Sequence, residues 1–222
     1  MELDKLYSIR FDTDKTLKSK NIVWRALCRY FFQKFIEKTD IVVDIAAGYC
    51  EFLNNICAKE KIGFDLNSDA KKVADKGVEI INDSFFKMGQ YLKDKKADII
   101  FASNILEHLD SKEDVIETMT IAYQNLSKNG KLLILQPNIK LTGGAYWDFI
   151  DHKCPLTEKS VVEAASLAGF KTSKVIVRFL PYTQKSKIPK AAFLIWLYLK
   201  FMPFSGYFMG KQSFLVFEKC NG

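Results

Sequence analysis

The sequence predicts an α/β fold built on a doubly wound, mostly parallel seven-stranded sheet, for three reasons. Five short runs rich in aliphatic residues alternate with helical segments. The runs are short and mostly apolar and need not alternate with polar residues, as expected for strands that helices cover on both faces. The chain has 222 residues, 48% of them hydrophobic, which suffices for one well-packed domain. The five predicted strands are residues 41–45, 61–64, 78–81, 98–102 and 131–135.

Capping signals place helices between and after these strands. Ser111, with Asp114 three residues later, has the pattern of a capping box. The helix that begins at Ser111 is expected to end at the Asn-Gly pair 129–130. Thr157 is expected to cap another helix, which runs to Gly169. A strand, helix, strand order at this spacing predicts parallel units with right-handed crossovers.

The two ends of the chain complete the predicted architecture. Residues 21–38 read as a helical, partly aromatic segment, and the β-like runs 174–179 and 213–217 are expected to form a closing antiparallel hairpin. We therefore expect a single domain over residues 1–222. Its parts are an N-terminal helical cap (1–40), a ligand-binding core (41–138), and a region with a second ligand site and the hairpin (139–222).

Composition bears on compartment and on metal content. Residues 1–20 are polar and charged, without the apolar core of a signal peptide, so a cytoplasmic location is expected. The five cysteines include no CxxC pair, which is typical of reduced thiols, and structural zinc is not expected.

The net charge of +7 is concentrated near the end of the chain. Residues 164–217 carry eight basic side chains and no acidic one, which indicates an anionic partner or a solvated basic face. The anionic partner could be a phosphorylated substrate, a nucleic acid or a membrane surface. The stretch contains no recognised nucleic-acid module, so no nucleic-acid partner is expected.

Within this basic region, residues 191–199 (AAFLIWLYL) are strongly apolar. Nine residues are too few to span a bilayer. The segment could form a core helix, a lid over a substrate pocket, or an interfacial element that contacts the inner membrane face through residues 188–204.

The carboxyl ends of the first three predicted strands carry acidic residues. In a doubly wound sheet this edge binds ligands. The first strand ends in Asp44 and a turn with Gly48, and the GxGxxG pattern of dinucleotide sites is absent there. A carboxylate in this turn suits a ligand that carries a cation. At the second strand's end Asp65 could accept hydrogen bonds from a ribose diol, and at the third Asp83 with Ser84 could meet an adenine amino group.

These motifs resemble those of class I S-adenosylmethionine-dependent methyltransferases over residues 41–138. The resemblance implies S-adenosylmethionine as cofactor and S-adenosylhomocysteine as product. Cys50 occupies the position of the family's last motif glycine and is expected to add bulk near the methionine tail. The segments that carry the resemblance are VVDIAAGYCEF, IGFDLN, IINDSFF, ADIIFASNILEHL and NGKLLILQPN. The implied cofactor contacts are Asp44, Ala46 and Gly48 at the methionyl part, Asp65 and Leu66 at the ribose, Asp83 and Ser84 at the adenine, and Ser103 and Asn104 beside the methyl group.

A second group of motifs resembles small-molecule methyltransferases. In SNILEHL, His108 is interpreted as a packed histidine that stabilises its turn. The loop after the fifth strand carries an aromatic pair, Tyr146 and Trp147, as expected pocket walls. It then carries Asp151 and His152. His152, held by Asp151, is the candidate general base, although the pair could instead anchor the loop.

The expected reaction is O-methylation of a small anionic acceptor, such as a phosphorylated or nucleotide-linked sugar or another surface-polysaccharide precursor. Arg178, Lys185 and Lys187 are the expected phosphate ligands. No metal is expected, because the sequence shows no cluster of metal-ligating residues. Two alternatives stay open: a membrane-facing lipid or quinone methyltransferase, and a non-catalytic module that binds S-adenosylmethionine.

Overall fold

The computed structural model describes residues 14–182 and 191–220, which form a single seven-stranded sheet with helices on both faces. The strands are β1 (Ile41–Asp44), β2 (Glu60–Phe64), β3 (Val78–Ile81), β4 (Ala97–Ser103), β5 (Leu126–Pro137), β6 (Phe170–Leu180) and β7 (Gln212–Lys219). The helices are α1 (Asp14–Tyr30), α2 (Ala70–Val73), α3 (Met88–Leu92), α4 (Lys112–Asn125), α5 (Ile139–Thr142), α6 (Glu158–Leu167), α7 (Ala192–Lys200) and α8 (Phe204–Met209).

The strand order is β3-β2-β1-β4-β5-β7-β6, and it confirms the predicted fold class. The first five strands are parallel, while β7 is antiparallel to both β5 and β6. The strand order reverses direction between β1 and β4, so the crevice at their carboxyl ends is the expected ligand site of an open α/β sheet.

Alternate residues of the central strands enter two separate cores. Val42, Ile99 and Phe101 pack on the face that α1 covers, whereas Val43 and Ile100 pack on the face of α4 and α6. Both faces are therefore apolar, which explains the mostly apolar runs in the sequence. Aromatic rings fill much of the α1 face, namely those of Trp24, Phe31, Phe32, Phe35, Phe52, Phe101, Phe179 and Phe214.

The capping prediction for α4 is confirmed at its start and wrong at its end. The Ser111 hydroxyl accepts a hydrogen bond from the Asp114 N–H, and the Asp114 carboxylate accepts one from the Ser111 N–H. The helix, however, ends at Asn125, because β5 already begins at Leu126, which pairs with Ala97. The Asn-Gly pair at 129–130 lies instead in an irregular part of β5, with Asn129 at φ +64°.

The connections near the ligand edge are shorter than full helices. Glu51 precedes only a short 3₁₀ helix, Leu53–Asn55, and α2 is a single turn. The turn after β1 packs closely on β2. A Cβ added to Gly63 of β2 would lie only 2.8 Å from the Ala47 side chain. Thr157 caps α6 as predicted.

The helices α7 and α8 lie beside the edge strand β6. The Tyr198 hydroxyl of α7 donates to the Phe179 carbonyl at 2.6 Å, and the Gly206 Cα of α8 lies against the Arg178 carbonyl. No residue of α7 is fully buried, but Ile195 and Leu199 pack against the core on the α1 face, so α7 is a partly exposed helix at the margin of that core. Within the described ranges, no helix combines the length and the apolar character needed to cross a bilayer.

Candidate active site

The turn after β1 brings two of the predicted acidic residues together. Asp44 is buried, and its Oδ1 accepts a 3.3 Å hydrogen bond from the Ala46 N–H. Gly48 adopts φ +53°, and its N–H donates to Oδ2 of Asp65 at 2.6 Å. The side chain of Asp65, which follows β2, therefore holds the turn after β1. The positive φ of Gly48 explains the glycine at this position.

Electrostatics at this turn favour a cationic ligand. Burial, together with the nearby carboxylates of Asp65 and Glu51, raises the pKa of Asp44 to about 8, although the hydrogen bond from the Ala46 N–H opposes the shift. Burial also raises the pKa of Asp65, although hydrogen bonds from Asn67 and Gly48 oppose that shift. A cation placed against Asp44 would restore its ionised form.

The predicted effect of Cys50 on the ligand space is not what the structure shows. Cys50 takes φ +59° and is fully buried in the core on the α1 face. Its thiol donates to the Ala70 carbonyl at a sulfur-to-oxygen distance of 3.5 Å. The bulk of this side chain is therefore accommodated within the core.

The ends of β2 and β3 lie next to each other, as the sequence predicted. Asp65 Oδ1 accepts a 2.8 Å hydrogen bond from the Asn67 N–H, and the Leu66 side chain is 61% exposed. The Asn82 amide donates to the carbonyls of Asp65 and Leu66, both at 2.9 Å, and thereby ties the two strand ends together. Leu66 thus offers an open apolar surface beside the Asp65 carboxylate.

The third acidic residue, Asp83, already has several partners. Its carboxylate receives hydrogen bonds from the Lys87 ammonium at 3.0 Å, from the Tyr91 hydroxyl at 2.7 Å and from the Ser84 N–H. The Tyr91 and Lys87 bonds lower the pKa of Asp83 to about 2. The Ser84 hydroxyl in turn accepts from the Phe86 N–H. The predicted adenine contact of this pair would have to share these partners or displace them.

An apolar pocket opens where β4 and β5 end. The Asn104 N–H donates to the Leu135 carbonyl at 2.8 Å with Asn104 at φ +50°, and its side-chain amide donates to the Ser103 hydroxyl at 3.1 Å. Asn104 thus faces the pocket from the predicted methyl-transfer position. The pocket walls are Val23, Trp24, Leu27, Asn104, Leu135, Leu180, Pro181 and Gln212.

Most of these pocket residues escaped the sequence analysis. Trp24 and Leu27 come from α1, whose apolar residues read as ordinary packing, and Gln212 begins β7. The Gln212 amide nitrogen donates to the Pro181 carbonyl at 2.8 Å, while its buried Oε1 has no hydrogen-bond partner among the described residues. No signal in the sequence links residues so far apart.

The predicted Asp-His pair is arranged differently from the expectation. Nδ1 of His108 lies 3.2 Å from both the main-chain carbonyl and Oδ2 of Asp151, so Asp151 holds His108, which was predicted to be a packed residue. His152 Nδ1 lies 3.4 Å from the hydroxyl of Tyr182, a residue that follows the end of β6. The two imidazole rings are 4.9 Å apart and form one cluster.

Aromatic rings surround His152. Phe149 stacks on its imidazole with centroids 5.0 Å apart, and Tyr146 lies 4.6 Å away on another side. Tyr146 is fully buried and its hydroxyl donates to the Cys154 carbonyl at 2.7 Å, so this residue fixes the loop. Trp147 is exposed beside it and is the more accessible of the two predicted pocket walls.

Glu107 joins this cluster, and the sequence analysis missed it. Its side chain is 3% exposed, and burial raises the pKa of the carboxyl to about 8. Oε2 of Glu107 has no hydrogen-bond partner in the described part of the chain. The donor atoms of Glu107, His108 and His152 all lie within 4.8 Å of one another, so the fold brings together three side chains that could hold a metal ion and that the sequence did not group.

The predicted phosphate ligands are only partly described. The Arg178 guanidinium donates to the carbonyls of Tyr207 and Gly210, both at 3.4 Å, and lies 5.7 Å from the centroid of the Tyr207 ring. These contacts connect β6 to α8, which gives the arginine a structural task besides any ligand contact. Lys185 and Lys187 lie outside the described residues.

Comparison with known proteins agrees with this geometry. Residues 20–175 match the family model described as a methyltransferase domain. A search among curated proteins gave no significant match.

Solved structures with the same fold cover nearly the whole chain. A SAM-dependent methyltransferase from Archaeoglobus fulgidus is 19% identical, with 96% of this chain and 98% of that chain covered and a TM-score of 0.66. A Thermotoga maritima protein described as a possible histamine N-methyltransferase is 17% identical, with coverages of 96% and 97% and a TM-score of 0.67. A SAM-dependent methyltransferase from Clostridium acetobutylicum is 12% identical, with coverages of 99% and 98% and a TM-score of 0.63.

The fold and the matched family model define a class I S-adenosylmethionine-dependent methyltransferase. The chain belongs to the methyltransferase domain family, and its cofactor is S-adenosylmethionine. The buried Asp44 carboxyl, which a neighbouring cation would ionise, and the left-handed Gly48 fit this sulfonium ligand.

Proposed function

We propose that the protein methylates an oxygen of a small anionic acceptor, such as a phosphorylated or nucleotide-linked sugar or another surface-polysaccharide precursor. S-adenosylmethionine supplies a methyl group on a sulfonium, which is a good leaving group. The S–CH₃ bond breaks as the acceptor O–CH₃ bond forms, the hydroxyl proton passes to a base, and S-adenosylhomocysteine leaves. The chain's main task is to align the two reactants.

One observation carries this proposal: the loop after β5 and the segment after β6 meet at the ligand edge through the 3.4 Å contact between His152 and Tyr182. The edge holds the proposed cofactor residues Asp44, Ala46, Gly48, Asp65, Leu66, Asp83, Ser84, Ser103 and Asn104. The loop carries the proposed base, and the segment leads into the basic stretch. The proposed ligands of an anionic acceptor are Arg178 and, further along the chain and outside the described residues, Lys185 and Lys187.

The predicted roles of the histidine cluster enter the proposal in a modified form. Asp151 supports His108 directly, and the two histidines together with Asp151 would receive the hydroxyl proton, with His152 nearest to Tyr182. Tyr146 and Phe149 would hold the His152 ring, and Trp147 would form an outer wall of the acceptor site.

The test is a methyl-transfer screen with labelled S-adenosylmethionine against phosphorylated sugars, quinones and RNA. With the acceptor so identified, His152→Ala should lower kcat by roughly 10²–10⁴-fold and leave cofactor affinity nearly unchanged. Ile150→Ala is the matched control, because this residue is two positions away and 82% exposed. Unchanged turnover in His152→Ala would reduce the histidine to a loop anchor. Cofactor binding without transfer to any acceptor would support a non-catalytic binding module.

A second candidate function is methylation of a lipid or quinone at a membrane, and one observation favours it. The helices α7 and α8 expose a group of large apolar side chains, with Phe204 at 74% and Phe208 at 72% exposure. The group consists of Phe193, Leu194, Phe201, Phe204, Tyr207, Phe208 and Met209. Exposed apolar patches of this kind mark interaction surfaces.

Charge indicates an anionic bilayer as the partner of this surface. The Lys200 ammonium lies 4.8 Å from the Trp196 ring centroid, and Lys211 follows α8. Aromatic side chains favour the membrane interface, and each nearby Lys or Arg adds about 1 kcal/mol on anionic lipid. The protein would then contact the inner membrane face peripherally, through residues that include the described part of 188–204.

Liposome flotation separates the two candidates. The protein should float with vesicles that contain phosphatidylglycerol and should float less with pure phosphatidylcholine. The double variant Phe204→Ser/Phe208→Ser should lose flotation, whereas Ile150→Ser, also an exposed apolar position, should retain it. A protein that stays in the bottom fraction with both lipids would leave the soluble acceptor as the only candidate.

A further inference from the structure

We propose that Glu107, His108 and His152 bind a divalent transition-metal cation. Glu107 and His108 are consecutive residues of the turn after β4, and His152 lies in the loop after β5. Their donor atoms lie within 4.8 Å of one another. This inference goes beyond the proposed function, because metal binding at this cluster needs neither the cofactor nor the acceptor.

The unpartnered carboxylate oxygen is the observation that points to a ligand. Glu107 is 3% exposed, and its Oε2 has no hydrogen-bond partner among the residues described. A buried polar atom without a partner is costly and uncommon in folded proteins. A cation between the carboxylate and the imidazoles would give this oxygen its missing partner.

The backbone fixes the spacing of the three side chains. The Glu107 carbonyl accepts hydrogen bonds from the N–H groups of Lys153 and Cys154, at 2.8 and 3.1 Å. These bonds tie the turn after β4 directly to the residues that follow His152. The two loops that carry the ligands are therefore already held together without a metal. Less conformational entropy is then lost when the metal binds.

A supporting carboxylate completes the arrangement. Nδ1 of His108 lies 3.2 Å from both the main-chain carbonyl and Oδ2 of Asp151, so Nε2 is the ring atom through which His108 would bind the cation. A carboxylate on the far side of a ligating imidazole fixes its tautomer and orientation in many metal sites. The His152 ring is restricted by packing against the rings of Phe149 and Tyr146.

The donor set selects the type of metal. Two imidazoles and one carboxylate, with open coordination positions, suit Zn²⁺, Mn²⁺, Fe²⁺ or Co²⁺, whereas Mg²⁺ and Ca²⁺ prefer oxygen ligands alone. Bond lengths of about 2.1 Å allow a separation of at most ~4.2 Å between two ligands of one cation. In a tetrahedral arrangement two such ligands lie about 3.4 Å apart, so side-chain rotations that shorten the widest separation by up to about 1.4 Å would close the cluster around the metal.

The local charge agrees with a divalent cation. Glu107 and Asp151 together offer two negative charges, and the nearby Lys153 directs its ammonium to Asp110 instead. A cation of charge +2 would balance this pair of carboxylates.

The consequence for catalysis rests on the proposed function. A cation with open positions beside the acceptor would bind the acceptor hydroxyl and lower its pKa. In the metal-bound protein His152 would be a ligand and could not also accept the hydroxyl proton, so solvent would replace it as the base of the proposed mechanism. Methyl transfer would depend on the metal as well as on S-adenosylmethionine.

The test measures metal binding alone, on the full chain after treatment with a chelator. Mn²⁺ is titrated and followed by electron paramagnetic resonance, because this ion binds thiolates weakly and the exposed Cys57 and Cys220 could capture Zn²⁺. One Mn²⁺ per chain should bind. Glu107→Gln and His108→Gln should each weaken binding by at least tenfold, and Asp151→Asn by roughly 10–100-fold. Asp110→Asn, an exposed carboxylate nearby, is the matched control and should bind like the wild type.

A thermal measurement guards against a purely structural effect of Glu107→Gln. This variant should match or exceed the metal-free wild type in Tm, because it removes a buried unpartnered carboxylate, yet it should gain nothing from added Mn²⁺. Absence of stoichiometric Mn²⁺ binding, or binding that Glu107→Gln and His108→Gln leave unaltered, would overturn the proposal. S-adenosylhomocysteine binding, measured separately, reports on the proposed function and stays independent of this outcome.

Discussion

The main-chain N–H of Gly48 donates a 2.6 Å hydrogen bond to Oδ2 of Asp65, although the two residues are seventeen positions apart. The carboxylate proposed to bind the ribose thus also holds the turn that would receive the methionyl part. Loss of Asp65 is therefore expected to affect both ends of the cofactor site.

Asp65→Ala should weaken binding of S-adenosylhomocysteine by roughly 1.5–3 kcal/mol, since hydrogen bonds to a charged acceptor are lost. Calorimetric titration measures this change. Asp69→Ala is the control, because Asp69 pairs with Lys72 on the surface of the neighbouring turn. Equal affinities of the two variants would remove Asp65 from the cofactor site.

Asp44 should make the cofactor-free protein less stable as the pH rises. Its folded pKa is raised from 3.8 to about 8, so the folded state binds the proton more tightly than the unfolded state. The stability of the protonated form is fully present below about pH 4 and is lost as the pH rises through 8. Asp44→Asn should remove this dependence.

Thermal unfolding of the cofactor-free protein between pH 5 and 8.5 measures the effect. The Tm advantage of Asp44→Asn over the wild type should grow with pH, by about 2–4 °C for each kcal/mol. The same variant should bind S-adenosylmethionine more weakly, because the cation loses its carboxylate. Parallel pH curves for the two proteins would contradict the raised pKa.

Asp83 should be tested against its own partners. If it binds the adenine amino group, Asp83→Ala should weaken S-adenosylhomocysteine binding several-fold. Tyr91→Phe should leave it equal or tighter, because the tyrosine hydroxyl competes for Oδ2. A pKa near 2 keeps Asp83 ionised above about pH 4, so this contribution should not vary between pH 5 and 8. Weaker binding in Tyr91→Phe would assign a direct role to the tyrosine.

Arg178→Gln should raise the acceptor KM and reduce its sensitivity to ionic strength. It should also destabilise the chain by about 0.5–1.5 kcal/mol, because the bonds to the Tyr207 and Gly210 carbonyls are lost. Lys174→Gln on the same strand is the control, since Lys174 is exposed. A lower Tm with an unchanged KM would leave Arg178 as a purely structural link to α8.

The sequence predicted the sheet, its hairpin and two capped helices, because those features follow from local patterns of apolar residues and capping side chains. It missed the end of α4, since the pairing of Leu126 with Ala97 extends β5 backward through a segment that reads as a turn. Tertiary pairing overrode local turn chemistry at that point.

The candidate site was predictable only where it lies at strand ends. Asp44 and Asp65 follow directly from the strand pattern. The partner of Asp151 was not predictable in this way. Adjacency in the sequence suggested His152, whereas the fold brings Asp151 to His108, 43 residues away. Trp24 and Gln212 were not predicted as pocket residues for the same reason, because the sequence does not reveal which distant segments converge.

The strand order also determines how long β6 stays unpaired while the chain is being synthesised. In the sheet, β6 pairs with β7 and not with β5, yet β7 begins only after Leu180 has been followed by α7 and α8. At ribosomal rates of about 5–20 residues per second, β6 must wait roughly 2–6 seconds for its neighbour. During that interval its unpaired edge and the apolar residues of α7 are exposed to chaperones and proteases, so synonymous codon changes in this interval should alter the yield of folded protein.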